Sequence, residues 1–310
     1  MSIGHIIARG FAAAHAALVG ALFVFLLQAP VQVLSAVGQG LQGEAMRGAG
    51  QQPDMNLVML SLGFSCGTFV LALAVFFLFP LVQGGILGQV RVRLESPGQR
   101  PGPFGVYGRA FYRRLLGSQA LFTLVILVVM VPVMCLSVVV TLQEIARAMP
   151  AGAAEGAPAP ATLDPHEFTR QLLSNPAVLA GMVIASLLVS AVGIVYWVAN
   201  CIVVSERERV VVSWRKALHF CRQNFSAVLV VWLLNLAVGL VISPLGLVVQ
   251  LGLVARVVPV VALALVVALT LLYAALISYW SVLLAGLTMS LYLARRSPAE
   301  QPEPAVSAPA

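Results

Sequence analysis

Six stretches of this chain contain no Asp, Glu, Lys or Arg: residues 10–43, 55–90, 115–143, 171–205, 223–255 and 257–294. Each exceeds the roughly 20 residues that an α-helix needs to cross a ~30 Å hydrocarbon layer. Hydrophobic residues make up 60% of the chain and charged residues 9%, so polar groups are too few to cover its apolar surface in water. A transmembrane barrel needs segments of about 10 residues with alternating faces, whereas FVLALAVFFLF (69–79) and VVPVVALALVVALTLLYAAL (257–276) are apolar on every side. Lipid offers backbone amides no partner, so these runs are helices.

The expectation is an all-α polytopic membrane protein with six transmembrane helices in a single domain, 1–295. Approximate spans are 10–34, 57–83, 117–142, 177–204, 226–250 and 259–293. Arg9 and the apolar stretch ending near Gln28-Ala29-Pro30 have the outline of a secretory signal. That stretch exceeds an h-region of roughly 7–15 residues and no A-x-A site follows, so the first span is expected to stay uncleaved. The last uncharged run would be about 57 Å long as one helix. ALALVVALTLLYAALISYW has no Gly, Pro or charge to turn it, so one long helix, tilted or projecting, is expected. Pro80 and Gly84-Gly85 should break or bend the second run.

Cations choose the orientation, because Lys and Arg flanking spans remain preferentially in the cytoplasm. With both termini inside, Arg9, Arg91, Arg93, Arg100, Arg109, Arg113, Arg114, Arg207, Arg209, Arg215, Lys216, Arg222, Arg295 and Arg296 are cytoplasmic, 14 of the 18 basic residues. Counting acidic residues, the inside carries a net charge of about +9 and the outside about −2. This positive cytoplasmic face is expected to meet anionic phospholipids. Nucleic-acid binding would need a soluble basic domain, which no loop is long enough to form.

The stretch VVSWRKALHFCRQNF concentrates cations beside aromatics. At helical spacing Val210, Trp214, Ala217, Leu218, Cys221 and Phe225 form one apolar face, away from Lys216 and Arg222. Segment 205–225 thus reads as an interfacial helix with aromatics at the acyl boundary and cations at headgroups. Ser205 and Glu208 suggest a capping box, and the β-branched run Val210–Val212 should delay the regular helix. Segment 104–117 repeats the design, with Phe104, Tyr107, Phe111 and Leu115 on one face and Arg109 and Arg113 on another. The two copies align at an offset of 107, and a fainter third starts at Arg9. A span bearing Pro30, Pro132 or Pro244 follows each copy. The chain reads as three parallel repeats of cytoplasmic helix, outward span and return span, unlike the inverted repeats of many secondary transporters.

The candidate contacts for anionic lipid headgroups are Arg109, Arg113, Arg114, Arg215, Lys216 and Arg222. Among polar residues of the spans, Asn200, Asn235 and Gln250 either hydrogen-bond between helices or line a polar cleft. The spans contain no charged residue of the kind that proton-coupled pumps and intramembrane hydrolases rely on. His15 is expected to face headgroups or a neighbouring helix. P-loop, H-E-x-x-H and G-x-S-x-G patterns are absent. Cys66, Cys135, Cys201 and Cys221 are isolated from one another and suit packing better than zinc or disulfides. Asp164 and Glu167 are explained by capping of a short helix, so no metal or other cofactor is expected. Residues 149–161, an Ala/Pro/Gly tract, and the tail 296–310 should be disordered.

In the block 201–234, Val203-Val204-Ser205-Glu206 closes a span and a basic amphipathic helix ends in Asn224-Phe225. This arrangement resembles bacterial multi-pass proteins grouped with the membrane domain of glycerophosphodiester phosphodiesterases. Residues 80–111 resemble a Gly-rich variant in related families of unknown function. In those phosphodiesterases a separate soluble barrel performs catalysis, and no such domain is present here. The resemblance therefore implies a stand-alone membrane module without enzymatic activity. The expected function is to organise or assist a partner protein or lipid-related process, alone or as a homo-oligomer. The alternative is a permease or lipid-handling translocator using a polar cleft between helix repeats.

Overall fold

The computed structural model describes residues 2–47, 55–148, 176–250 and 259–296. The expected Ala/Pro/Gly segment, the helix after Asp164 and the tail beyond Arg296 lie outside the described residues. Eight α-helices form the described part, with no strand in it: α1 Ile3–His15, α2 Leu18–Arg47, α3 Met55–Glu95, α4 Phe104–Ala148, α5 Pro176–Glu206, α6 Val210–Gln223, α7 Phe225–Gln250 and α8 Pro259–Arg295. Six of them, all but α1 and α6, are long and apolar enough to cross a membrane. They fit a multi-pass membrane protein.

Several boundaries differ from the sequence expectation. The first apolar run does not begin a span at residue 10, because a turn at Ala16–Ala17 separates α1 from α2. Ser2 caps α1 by accepting from the His5 amide, and α1 lies against α8. Segment 104–117 is no separate interfacial helix; it is the first third of α4, which runs unbroken for 45 residues. Nothing around Gly117-Ser118 disrupts the amide ladder. Likewise α3 continues through Pro80 and the glycines for 41 residues, about 62 Å. The last run is one helix of 37 described residues.

The glycines of α3 serve packing instead of breakage. A Cβ on Gly85 would lie 2.5 Å from the Phe104 ring, and one on Gly88 would lie 2.5 Å from Tyr107. Gly84 meets Gly108 Cα at 3.2 Å from its would-be Cβ. Small residues thus let the backbones of α3 and α4 approach closely, as small-xxx-small seams do in membranes. The same device joins α1 to α8, where a Cβ on Gly10 would stand 2.9 Å from the Gly286 carbonyl.

One end of the bundle holds most of the core. Val82, Ile86, Leu87 and Val90 of α3, Val198, Ile202 and Val203 of α5, and Leu284, Leu287 and Met289 of α8 are buried. These three helices touch one another, and α2, α4 and α7 pack around them. Towards the other end Phe69 and Val70, Leu127 and Val128, Val183 and Ile184, and Leu240 and Val241 are exposed. Apolar surface of that extent suits lipid rather than water.

Candidate functional site

The starts of α1, α4 and α6 and the ends of α3, α5 and α8 converge, gathering the 14 basic residues named above at one end of the molecule. Some of these cations hold the helix ends together. Arg9 of α1 donates to the Leu94 carbonyl at 2.8 Å, and Arg91 of α3 donates to the Val204 carbonyl at 2.8 Å. Both acceptors belong to last-turn carbonyls, which lack partners within their own helices and carry the negative end of the helix dipole. Arg114 of α4 donates to the carbonyl of Arg207. Arg207 adopts φ 56° in the turn between α5 and α6, where the chain reverses.

Glu206, the last residue of α5, is the junction of three helices. Its carboxylate accepts from Lys216 Nζ of α6 at 2.7 Å and from the Tyr292 hydroxyl of α8. Glu208 accepts from the same ammonium at 3.1 Å. The bond that Lys216 donates to Glu206, more than any other influence, raises the Lys216 pKa above its ordinary value, with Glu208 adding to it. At the same bundle end, Glu95 pairs with Arg91 at 2.8 Å and with Arg296 at 3.5 Å.

The amphipathic pattern locates the apolar faces but not what covers them. Trp214, Ala217 and Phe220 of α6 are buried within the protein, and Trp214 Nε1 donates to Ser118 Oγ of α4 at 3.0 Å. Leu218 and Phe225, assigned to the same face, are instead 56% and 65% exposed. Phe111 and Leu115 of α4 are also buried. Trp214, Phe220 and Phe111 therefore pack on neighbouring helices, while Phe225 keeps an exposed ring. Arg209, without a side-chain hydrogen bond, caps α6 in place of the expected Ser205–Glu208 box. Ser205 bonds back to Cys201 inside α5, while Glu208 is engaged by Lys216. The helix starts directly at Val210, so the β-branched run imposes no delay.

Three clefts open among these cations. The largest, about 410 Å³, lies between α6 and the end of α8 over the foot of α5, and Arg215, Lys216, His219, Arg295 and Arg296 line it. A second of about 360 Å³ is lined by Arg109, Arg113, Arg114 and Arg207. A third of about 320 Å³ has Arg9, Glu95 and Arg296 on its walls. Arg222 is exposed and lines none of them. Of the six residues expected at headgroups, Lys216 is thus committed to carboxylates, Arg114 to a backbone carbonyl, and the others face outward.

Asn200 and Asn235 line none of these clefts. Asn235 accepts from Trp280 Nε1 at 2.9 Å, joining α7 to α8. Asn200 is completely buried in α5, and the side chain of Gln250 lies outside the described residues. A neighbouring polar pair, Tyr196 and Gln83, joins α5 to α3 at 2.9 Å. His15 bonds to the Phe11 carbonyl and meets the Tyr279 ring edge-on at a centroid distance of 6.4 Å, facing a neighbouring helix. All four cysteines are free, and no metal-like cluster occurs among the described residues.

Sequence reading missed Glu206 as a junction and Tyr292, His219 and Arg295 as cleft walls. Glu206 was visible at the end of an aliphatic run, but its partners stand 10 and 86 residues away. No family model, curated protein or solved structure matches the chain.

Proposed function

We propose that this chain is a non-catalytic module of a bacterial inner membrane, with both termini cytoplasmic. Its basic end meets anionic phospholipids, and it organises or assists a partner protein or a lipid-related process. The observation that carries this reading is the use of polar groups. Asn235 accepts from Trp280, and Gln83 Oε1 accepts from Tyr196, in contacts between helices. The clefts open instead among cations at the bundle end. A translocation path through the spans would need polar groups facing a shared opening.

Three parallel repeats fit the packing. The first turns of α4 lie on α3, α6 lies on α5, and α1 lies on α8. Each short amphipathic segment thus covers the return span of the unit before it, the first unit following the last in a ring. The resemblance of residues 201–234 to the membrane domain of glycerophosphodiester phosphodiesterases points to the same class of module.

The full-length chain, reconstituted in liposomes, should leave fluorescent phospholipid analogues and small solutes no more mobile across the bilayer than empty liposomes do. In mild detergent it should retain a specific protein partner, a second copy or a defined set of lipids. Scrambling or uptake above background would replace this reading with a translocator.

A further inference from the structure

The cleft between α6 and α8 has more positive charge than its neighbours can neutralise. Residues 215, 216, 219, 220 and 223 fall on one side of α6, since steps of three and four follow the helical repeat. They face Tyr292, Arg295 and Arg296 at the end of α8, with Ile202 beneath. Acidic groups near the cleft are already engaged: Glu206 by Lys216 and Tyr292, Glu208 by Lys216, and Glu95 by Arg91 and Arg296. Among the described residues Arg215 and Arg295 have no ion pair. Arg296 is 14% exposed, and its Nη1 is buried without a hydrogen-bond partner.

A guanidinium has donors and no acceptor, and its planar fork matches the oxygens of carboxylate and phosphate. The negative end of the α8 dipole amounts to about half a charge, less than the two full charges of Arg295 and Arg296 beside it. Ile202, Phe220 and Tyr292 give the cleft an apolar wall, unlike a site built only for a hydrated ion. Its volume of about 410 Å³ falls at the lower end of the ~300–1,000 Å³ range of small-molecule sites. We infer that this cleft is a stoichiometric binding site for a phosphate group, with Arg215, Arg295 and Arg296 as its donors. The group belongs either to a phospholipid headgroup or to a free phosphate.

The inference deepens the reading of the basic end as a headgroup-facing surface, and it fails separately from that reading. Attachment to anionic vesicles through Arg109 and Arg113 does not depend on this cleft.

Two measurements use the purified full-length chain. Native mass spectrometry compares phosphatidylglycerol with phosphatidylcholine, and calorimetry in neutral detergent titrates inorganic phosphate. One saturable phosphatidylglycerol per chain without inorganic phosphate binding identifies the headgroup as the source. Binding in both experiments shows that the phosphate group alone suffices. The R215Q/R295Q variant should weaken binding about tenfold or more, the range expected when charge-assisted hydrogen bonds are lost. The R93Q/R100Q variant, which removes equal charge outside the cleft, should retain it. Equal losses in the two variants, or no binding in either experiment, would overturn the site. Should R215Q/R295Q fail to fold by circular dichroism, the wild-type titrations decide, and phospholipid uptake that does not saturate at one per chain, together with no binding of inorganic phosphate, overturns it.

Discussion

Glu206 ties three helices together at the basic end. Its side chain is 8% exposed and joins α5, α6 and α8. Glu206→Ala leaves the Tyr292 hydroxyl without this acceptor and Lys216 with Glu208 alone. A loss of about 1–3 kcal/mol is expected, the cost of an unsatisfied buried polar group. Thermal unfolding in detergent should show this drop, with Glu206→Gln falling less because the amide oxygen still accepts. Alkaline pH should act on the same region. Burial pushes the Cys221 thiol of α6 from 9.0 up to about 11, and carboxylate partners raise Lys216 above 10.5. A raised folded-state pKa stabilises below the unfolded value and loses its effect as pH climbs through the folded one. Stability should therefore fall as pH rises from about 9 past 11. Cys221 should react slowly with maleimides at neutral pH and faster along the same climb; a flat rate from pH 7 to 11 would contradict its burial.

At the level of elements, the sequence disclosed the apolar helices and misplaced their joints. Uncharged runs announce spans because a buried charge is costly in hydrocarbon, and that signal survives without tertiary information. The joints depend on contacts that periodicity does not encode. Ala16–Ala17 carries no breaker residue, yet a turn occurs there; Pro80 and Gly84-Gly85 carry three, yet α3 continues. The difference lies in Phe104, Tyr107 and Gly108, which occupy the space that the α3 glycines leave open. Matched substitutions test this reasoning. Gly108→Ala places a methyl against the Leu81 backbone, whereas Gly105→Ala meets nothing within 4 Å. The first should destabilise by about 1–3 kcal/mol through overpacking. The second should be neutral or stabilising by up to ~1 kcal/mol, because Ala favours a helix over Gly. Equal melting temperatures for the two variants would show that the α3–α4 seam is not tight. For the candidate site, pattern found Arg215 and Lys216 but could not show that Lys216 is neutralised. Its acidic partners precede α6 and come near only when the chain reverses at Arg207.

For the molecule as a whole, charge and hydropathy speak before any contact does. The basic residues that the sequence assigns to one side come together at one end through Arg9–Leu94, Arg91–Val204 and Arg296–Glu95. Such clustering fits the reading in which 14 of the 18 basic residues stay on the cytoplasmic side, and that reading yields a topology prediction. In a cysteine-free background, Arg100→Cys and Arg222→Cys should resist an impermeant maleimide in intact cells and react in inverted vesicles. Labelling from the cell exterior would reverse the assigned orientation.

The seam between α1 and α8 also bears on biosynthesis. Ser290 donates to the Ile6 carbonyl at 2.8 Å across 284 residues, and Gly10 fits against Gly286. Arg9 also reaches Leu94 of α3, but the face of α1 that carries Gly10 is covered only once α8 has been made. Until then a nascent chain must park an amphipathic segment at the bilayer surface, so truncation before α8 should expose that segment to membrane proteases. Closure of the α1–α8 seam is thus a late step in forming the bundle.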